Sequence, residues 1–151
     1  MSVLVMRGIL LKMLDVSANE FRSSRNRQEA AAKDLSDSSA RRLLLFYAVE
    51  CGGKYQLLVN ENIFLFSKLS KEDKGLGHDL LKLLKRIGIE QKFDELQDLH
   101  SGHQNQTIDV ARYHEMWRYG IRCKESETVE RSIEESLKKI LYLLHENETR
   151  R

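Results

Sequence analysis

Apolar residues along this chain recur at helical spacing and almost nowhere alternate as strand residues do. The clearest run is Leu44, Ala48, Cys51, Tyr55 and Leu58, spaced four, three, four and three apart, one stripe of a helix beginning near Ala40. This predicts the central helix of a bundle. Gly52 and Gly53 interrupt it at a cost of about 1 kcal/mol each relative to Ala, which the close approach of a neighbouring helix would explain. A second stripe, Val129, Ile133, Leu137, Ile140, Leu141 and Leu144, predicts a helix from about Ser126 to His145. The tail from Glu146 to Arg151 is expected to fray. Between the two, Leu80, Leu81, Leu83, Leu84 and Ile87 predict a well-buried helix over His78 to Ile87, with Gly88 as its C-terminal stop.

The remaining elements follow from end signals. Ser17 and Glu20 have the spacing of a capping box, so a helix starts at Ser17 and runs through Phe21 to about Lys33. Asp34 to Ser39 is a turn offering an N-cap. Asn60 to Lys74, with Ile63 to Phe66, reads as a short helix or packed loop, broken by Gly75 and Gly77. Phe93, Leu96 and Leu99 predict a short amphipathic helix from Gln91 to Leu99, and Ser101 to Gln106 a polar loop. Thr107 then caps a helix to Tyr119, ended by Gly120. Val3 to Leu14 is apolar at almost every position, so a helix at the bundle's edge and a strand-like arm both fit it. The domain expected is an arm over 1–16, a bundle over 17–145 and a tail over 146–151.

Composition agrees with an all-α chain: among 151 residues there is no proline, there are eight glycines, and 41% are apolar against 32% charged. One domain of this length buries a core of its own. A net charge of +2 excludes nucleic-acid or membrane binding by bulk electrostatics, leaving local patches only. Cys51 and Cys123 have neither CxxC nor Cys/His ligand spacing, so no zinc site, disulfide framework or other cofactor is expected and the thiols read as reduced, in the cytoplasm. No stretch approaches a membrane span, and Arg7, Gly8 and Lys12 interrupt the opening segment without a cleavage site after it.

Three strings, FYAVECGGKYQLL at Phe46 to Leu58, GLGHDLLKLLKRIGI at Gly75 to Ile89 and ARYHEMWRYGI at Ala111 to Ile121, together resemble the HEPN superfamily. The matching positions are Tyr47 with Glu50 and Gly52, His78 with Asp79 and Leu80, and Arg118 with Tyr119. The resemblance covers about half the chain, in patches. It implies an antiparallel up-and-down bundle of about four core helices plus short accessory helices. For activity it implies one of two things. Many HEPN proteins are dimeric, metal-independent ribonucleases that bring an Arg, followed a few residues later by a His, to a shared cleft; others lack that pair and bind partners. Here the spacing is missing: Arg112 and His114 have one residue between them, and Lys71, seven residues before His78, lacks the planar fork of Arg. The expectation is therefore a non-catalytic HEPN-like module that binds a protein partner, with RNA or nucleotide in a shared cleft, as in defence or toxin–antitoxin systems. The alternative is a metal-independent ribonuclease with an atypical His/Arg site.

In that alternative His78 and His114 are the acid/base candidates. Glu50, Asp79, Arg112, Arg118 and Tyr119 are the candidates for holding RNA or nucleotide. The string Arg112 to Tyr119 is the densest group of cations and aromatics, and helical spacing makes His114 and Arg118 neighbours. Tyr113 and Trp117 read equally as core residues with polar tips. His78 with Asp79 reads equally as a helix cap, and Glu50 as a structural ion pair. Arg22, Arg25, Arg27, Arg41 and Arg42 read as a solvated basic strip. Asp98, His100 and His103 resemble metal ligands only loosely. A homodimer is compatible with the excess apolar residues at Leu43 to Leu45 and Ile63 to Phe66.

Overall fold

The computed structural model describes residues 14–150. At Ser17 the capping box forms: the hydroxyl accepts from the Glu20 N–H at 3.1 Å and Glu20 Oε1 accepts from the Ser17 N–H at 2.9 Å. It opens helix α1, Ala18–Lys33. Asp37 then caps α2, Ser38–Asn60, accepting from the Ala40 N–H at 2.9 Å. A single turn, α3 (Lys71–Lys74), precedes α4 (Leu80–Arg86), and α5 (Tyr113–Tyr119) and α6 (Glu127–Thr149) complete the helices. The chain is all-α apart from a minimal antiparallel pair, β1 (Leu99–His100) with β2 (Thr107–Ile108), in which Leu99 faces Ile108.

Helix α2 is the hub, packing against α1, α4, α5 and α6. Four neighbours explain why its burial is wider than one stripe. Leu45, Phe46, Ala48, Val49, Leu57 and Leu58 are all buried, while Leu44, Cys51 and Tyr55 of the expected stripe are only half-buried. The two glycines are where neighbours come closest. A Cβ on Gly52 would lie 2.9 Å from the Arg25 side chain and 3.0 Å from Leu144; one on Gly53 would lie 2.5 Å from Leu83. On α6 the buried positions Ile133, Leu137, Ile140, Leu141 and Leu144 follow the expected stripe. That helix runs on to Thr149, past the point where its apolar pattern stops, because Glu148 pairs with Arg25 at 2.8 Å and Arg22 at 3.5 Å on α1.

Two expected helices are replaced. Gln91 to Asp98 is irregular, although Phe93, Leu96 and Leu99 are buried as their spacing suggested. Thr107 begins no helix but lies in β2, and α5 starts at Tyr113 after a 3-10 turn over Val110–Arg112. Gly120, at φ 66°, ends α5 in the left-handed conformation that glycine adopts without strain. Of the expected arm over 1–16 only residues 14–16 lie within the described residues; Leu14 is exposed, and Asp15 accepts from the Ser67 hydroxyl at 2.5 Å.

The basic strip is solvated only in part: Arg22 and Arg27 are exposed, Arg41 is half-buried, and the other two are buried. Arg25 and Arg42 are each only 2% exposed. Glu134 on α6 accepts from Arg41 and Arg42 on α2, both at 2.8 Å, and Arg42 also reaches Glu127 at 2.6 Å. Burial works against the Glu134 carboxylate, but the two guanidinium groups overcome it and bring its pKa down to about 2. No described helix is long and apolar enough to cross a membrane.

Candidate functional site: a histidine pair beside an arginine

Three separate segments meet above one face of α2. Tyr47, Glu50 and Lys54 lie three and four residues apart, so they share that face. His78 arrives from the loop that precedes α4, held there because Asp79, the next residue, caps α4 by accepting from the Lys82 N–H at 3.1 Å. His114 and Arg118 come from α5, one turn apart.

Glu50 anchors the group. It is 8% exposed, accepts from the Lys54 ammonium at 2.7 Å, and lies 2.8 Å from His78 Nδ1 through its other oxygen. A carboxylate only accepts, so Nδ1 carries the proton, and in the neutral form of the ring Nε2 presents the lone pair. The His78 side chain is 46% exposed. Its ring lies against that of His114, with centroids 4.0 Å apart and planes inclined by 38°.

The two imidazoles differ in environment. His114 is buried against Phe46, at 5.7 Å between centroids, and Tyr47, at 6.3 Å, and its Nδ1 has no hydrogen-bond partner. Burial, then the proximity of His78, lowers its pKa below the usual 6.5 and keeps it neutral at pH 7. Arg118 is exposed and donates to the Tyr47 hydroxyl. Hydrogen bonds to Tyr119 and Tyr47 raise its pKa further, so its charge is permanent.

Of the residues expected to act, the structure thus gathers Glu50, His78, His114, Arg118 and Tyr119. It removes two. Asp79 is occupied as the cap of α4, and Arg112 pairs with Glu115 at 3.1 Å beside Ser101 and Thr107, among the residues lining a different, small cavity. Tyr47 and Lys54 belong to the group although they were not singled out as site residues; their three- and four-residue spacing to Glu50 was the available signal. Tyr113 and Trp117 are core residues with satisfied tips: the Tyr113 hydroxyl donates to the Gln97 carbonyl, and the Trp117 indole N–H donates to Glu130 at 3.1 Å.

No group of metal-ligating side chains exists among the described residues, and His100 is instead held by Glu125 at 2.9 Å. A groove of about 700 Å³ lined by Leu81, Leu84, Phe93 and Leu96 contains none of the histidine group. Of that group His78, Arg118 and Tyr119 are open to solvent, whereas Glu50 and His114 are buried. No protein-family model, curated protein or solved structure matches the chain.

Proposed function

We propose that this chain is a HEPN-like helical module that binds RNA across the His78, His114 and Arg118 surface and cleaves it without a metal ion. One observation carries the reading: an exposed imidazole, fixed at 2.8 Å by a buried carboxylate, stands on a second imidazole beside a permanently charged guanidinium. The resemblance drawn from Phe46 to Leu58, Gly75 to Ile89 and Ala111 to Ile121 supports it, since those strings contribute all of these groups. His114 and Arg118 supply the family's two residue types in reverse order on one helix, and His78 supplies a further histidine from elsewhere.

The chemistry follows from the roles each group can fill. His78 Nε2 takes the proton of a ribose 2′-hydroxyl, and O2′ attacks the adjacent phosphorus. Arg118 holds the charge that develops on the phosphorane oxygens. The bond from phosphorus to O5′ breaks, and the His78 imidazolium returns the proton to the departing 5′-oxygen. The products are a 2′,3′-cyclic phosphate and a 5′-hydroxyl. Glu50 fixes the His78 tautomer, while buried, neutral His114 is a positioning residue that supports the ring from below.

Labelled RNA incubated with the protein in EDTA tests this. Cleavage leaving cyclic phosphate ends is expected, with a loss of about a hundredfold or more in His78→Ala and comparable loss in Arg118→Ala. No cleavage by the wild-type protein, or full cleavage by His78→Ala, overturns the catalytic reading. The non-catalytic alternative is favoured by the 8% exposure of His114, which leaves one imidazole rather than two open to a ligand. RNA retained by the wild-type protein, released by Arg118→Ala and never cut is its signature.

A further inference from the structure

On the far side of α2 from the histidine pair, the three long helices α1, α2 and α6 leave a cavity of about 260 Å³ between them. Two residues of α2 line it, Arg41 and Leu45. At 100° per residue they sit about 180° and about 140° around that helix from Glu50. The floor is aliphatic and dry: Ala32, Leu45 and Leu141 are 1%, 4% and 1% exposed. Lys33, Arg41 and Lys138 line the same cavity, against one carboxylate, Glu29, which is held 2.7 Å from His145 Nε2. Arg41 is fixed in place, donating to Glu134 at 2.8 and 3.0 Å and to the Leu35 and Ser36 carbonyls at 3.2 Å. Glu134 is divided between Arg41, Arg42 and Lys138, the last at 3.5 Å, so it does not neutralise them all. Lys138 also meets Glu135 at 3.4 Å, but that carboxylate is 65% exposed and binds it weakly. Lys33 is exposed and has no ion pair among the described residues. An aliphatic floor under a rim with surplus positive charge is the form of a site for an amphiphilic anion.

We propose that this cavity binds an aliphatic monocarboxylate of medium chain length, with its carboxylate on Lys33 and Lys138 and its chain over Ala32, Leu45 and Leu141. The donors of Arg41 are already engaged, so Arg41 shapes the site and the two flexible ammonium groups take the head. A single negative charge matches the one unpaired ammonium, whereas the second charge of a phosphate would meet Glu29. The floor offers no aromatic ring to stack on, which favours an alkyl chain over a planar body. A dry apolar cavity of about 150 Å³ takes benzene, so the larger one here has room for a chain of about eight carbons with its head at the mouth. Each buried methylene is worth about fourfold in affinity, so the chain, and not the charge alone, decides what is held. The proposal is independent of the ribonuclease reading, whose residues gather on the opposite face of α2.

The test titrates the full chain with octanoate, butyrate, octanol and inorganic phosphate, reading affinity by calorimetry and position by the methyl resonances of the leucines. Octanoate is expected to saturate a single site and to shift Leu45 and Leu141. Butyrate, four methylenes shorter, is expected to bind at least about tenfold more weakly. Octanol, which has the chain without the charge, and phosphate, which has the charge without the chain, are expected to do the same. Lys33→Ala, a substitution at an exposed position, is expected to weaken octanoate about tenfold by removing a charge-assisted hydrogen bond, and Lys33→Arg to keep it. Ala32→Leu is expected to fill the floor and abolish binding. Circular dichroism shows whether that variant folds, and if it does not, the two Lys33 variants decide alone. Four results overturn the proposal: no saturable binding of octanoate, equal affinity for octanoate and octanol, full affinity in Lys33→Ala, or shifts at Leu81 and Leu84 of the other groove in place of Leu45 and Leu141.

Discussion

Glu134 shows how much one residue can hold. It is 4% exposed and joins α6 to α2 through two arginines, of which Arg42 is equally hidden. Removing the carboxylate leaves a buried guanidinium without its central partner, and breaking such a pair costs about 3–5 kcal/mol. Glu134→Ala is therefore expected to lower stability in urea by about 3 kcal/mol. A loss below about 1 kcal/mol, the range of exposed pairs, would show that Glu127 and Glu130 suffice for Arg42. Spacing on a helix exposes partners three and four residues apart, so the link from Glu50 to Lys54 was legible in the sequence. The links from Glu50 to His78 and from Arg42 to Glu134 were not, because they join residues 28 and 92 positions apart. Nothing in an arginine's local sequence says whether it faces water or another helix, and this is why the basic strip was misread.

At the scale of elements, the glycines of α2 set how closely the bundle closes. A methyl group at Gly53 would press into the side chain of Leu83, itself only 1% exposed. Gly53→Ala gains about 1 kcal/mol in helix propensity and incurs about 1–3 kcal/mol of overpacking. The net expectation is lower stability, read as a reduced midpoint of chemical denaturation. An unchanged or higher midpoint would show that α4 relaxes without strain. The long helices were legible because each has an apolar pattern of several turns and an end signal. Gln91 to Leu99 and Thr107 to Arg112 were not, since a spacing of three over so few residues fits any chain that buries every third side chain. In both places the burial was foreseen and the backbone conformation was not.

For the whole molecule, the carboxylates and the histidine whose pKa is shifted all point one way. In the folded chain Glu134 keeps its charge down to about pH 2 against an ordinary 4.5, so its contribution is complete above about 4.5 and is lost as pH falls through 2. His114 has the same sign: its folded pKa lies below 6.5, the unfolded chain takes up the proton first, and the folded state loses ground as pH drops beneath 6.5. Glu127, lowered by its hydrogen bond to Arg42, adds to the same slope. Denaturation midpoints between pH 8 and pH 3 should thus fall steadily on the acid side, with the first decline beginning near pH 6.5. A His114→Phe variant should lose that first decline and keep the later one. A flat profile across this range would contradict both assignments.

The order in which the surface is assembled has a consequence for synthesis. Glu50, His78 and Arg118 come from segments far apart in the chain, and α5, which carries Arg118, is steadied through Trp117 by Glu130 of the last helix. A chain made only as far as residue 100 of this sequence carries Glu50 and His78 but lacks Arg118, the proposed phosphate clamp. The clamp's own support is translated after it. Under the proposed ribonuclease reading, activity toward RNA is therefore withheld until α6 has been made and packed against α5.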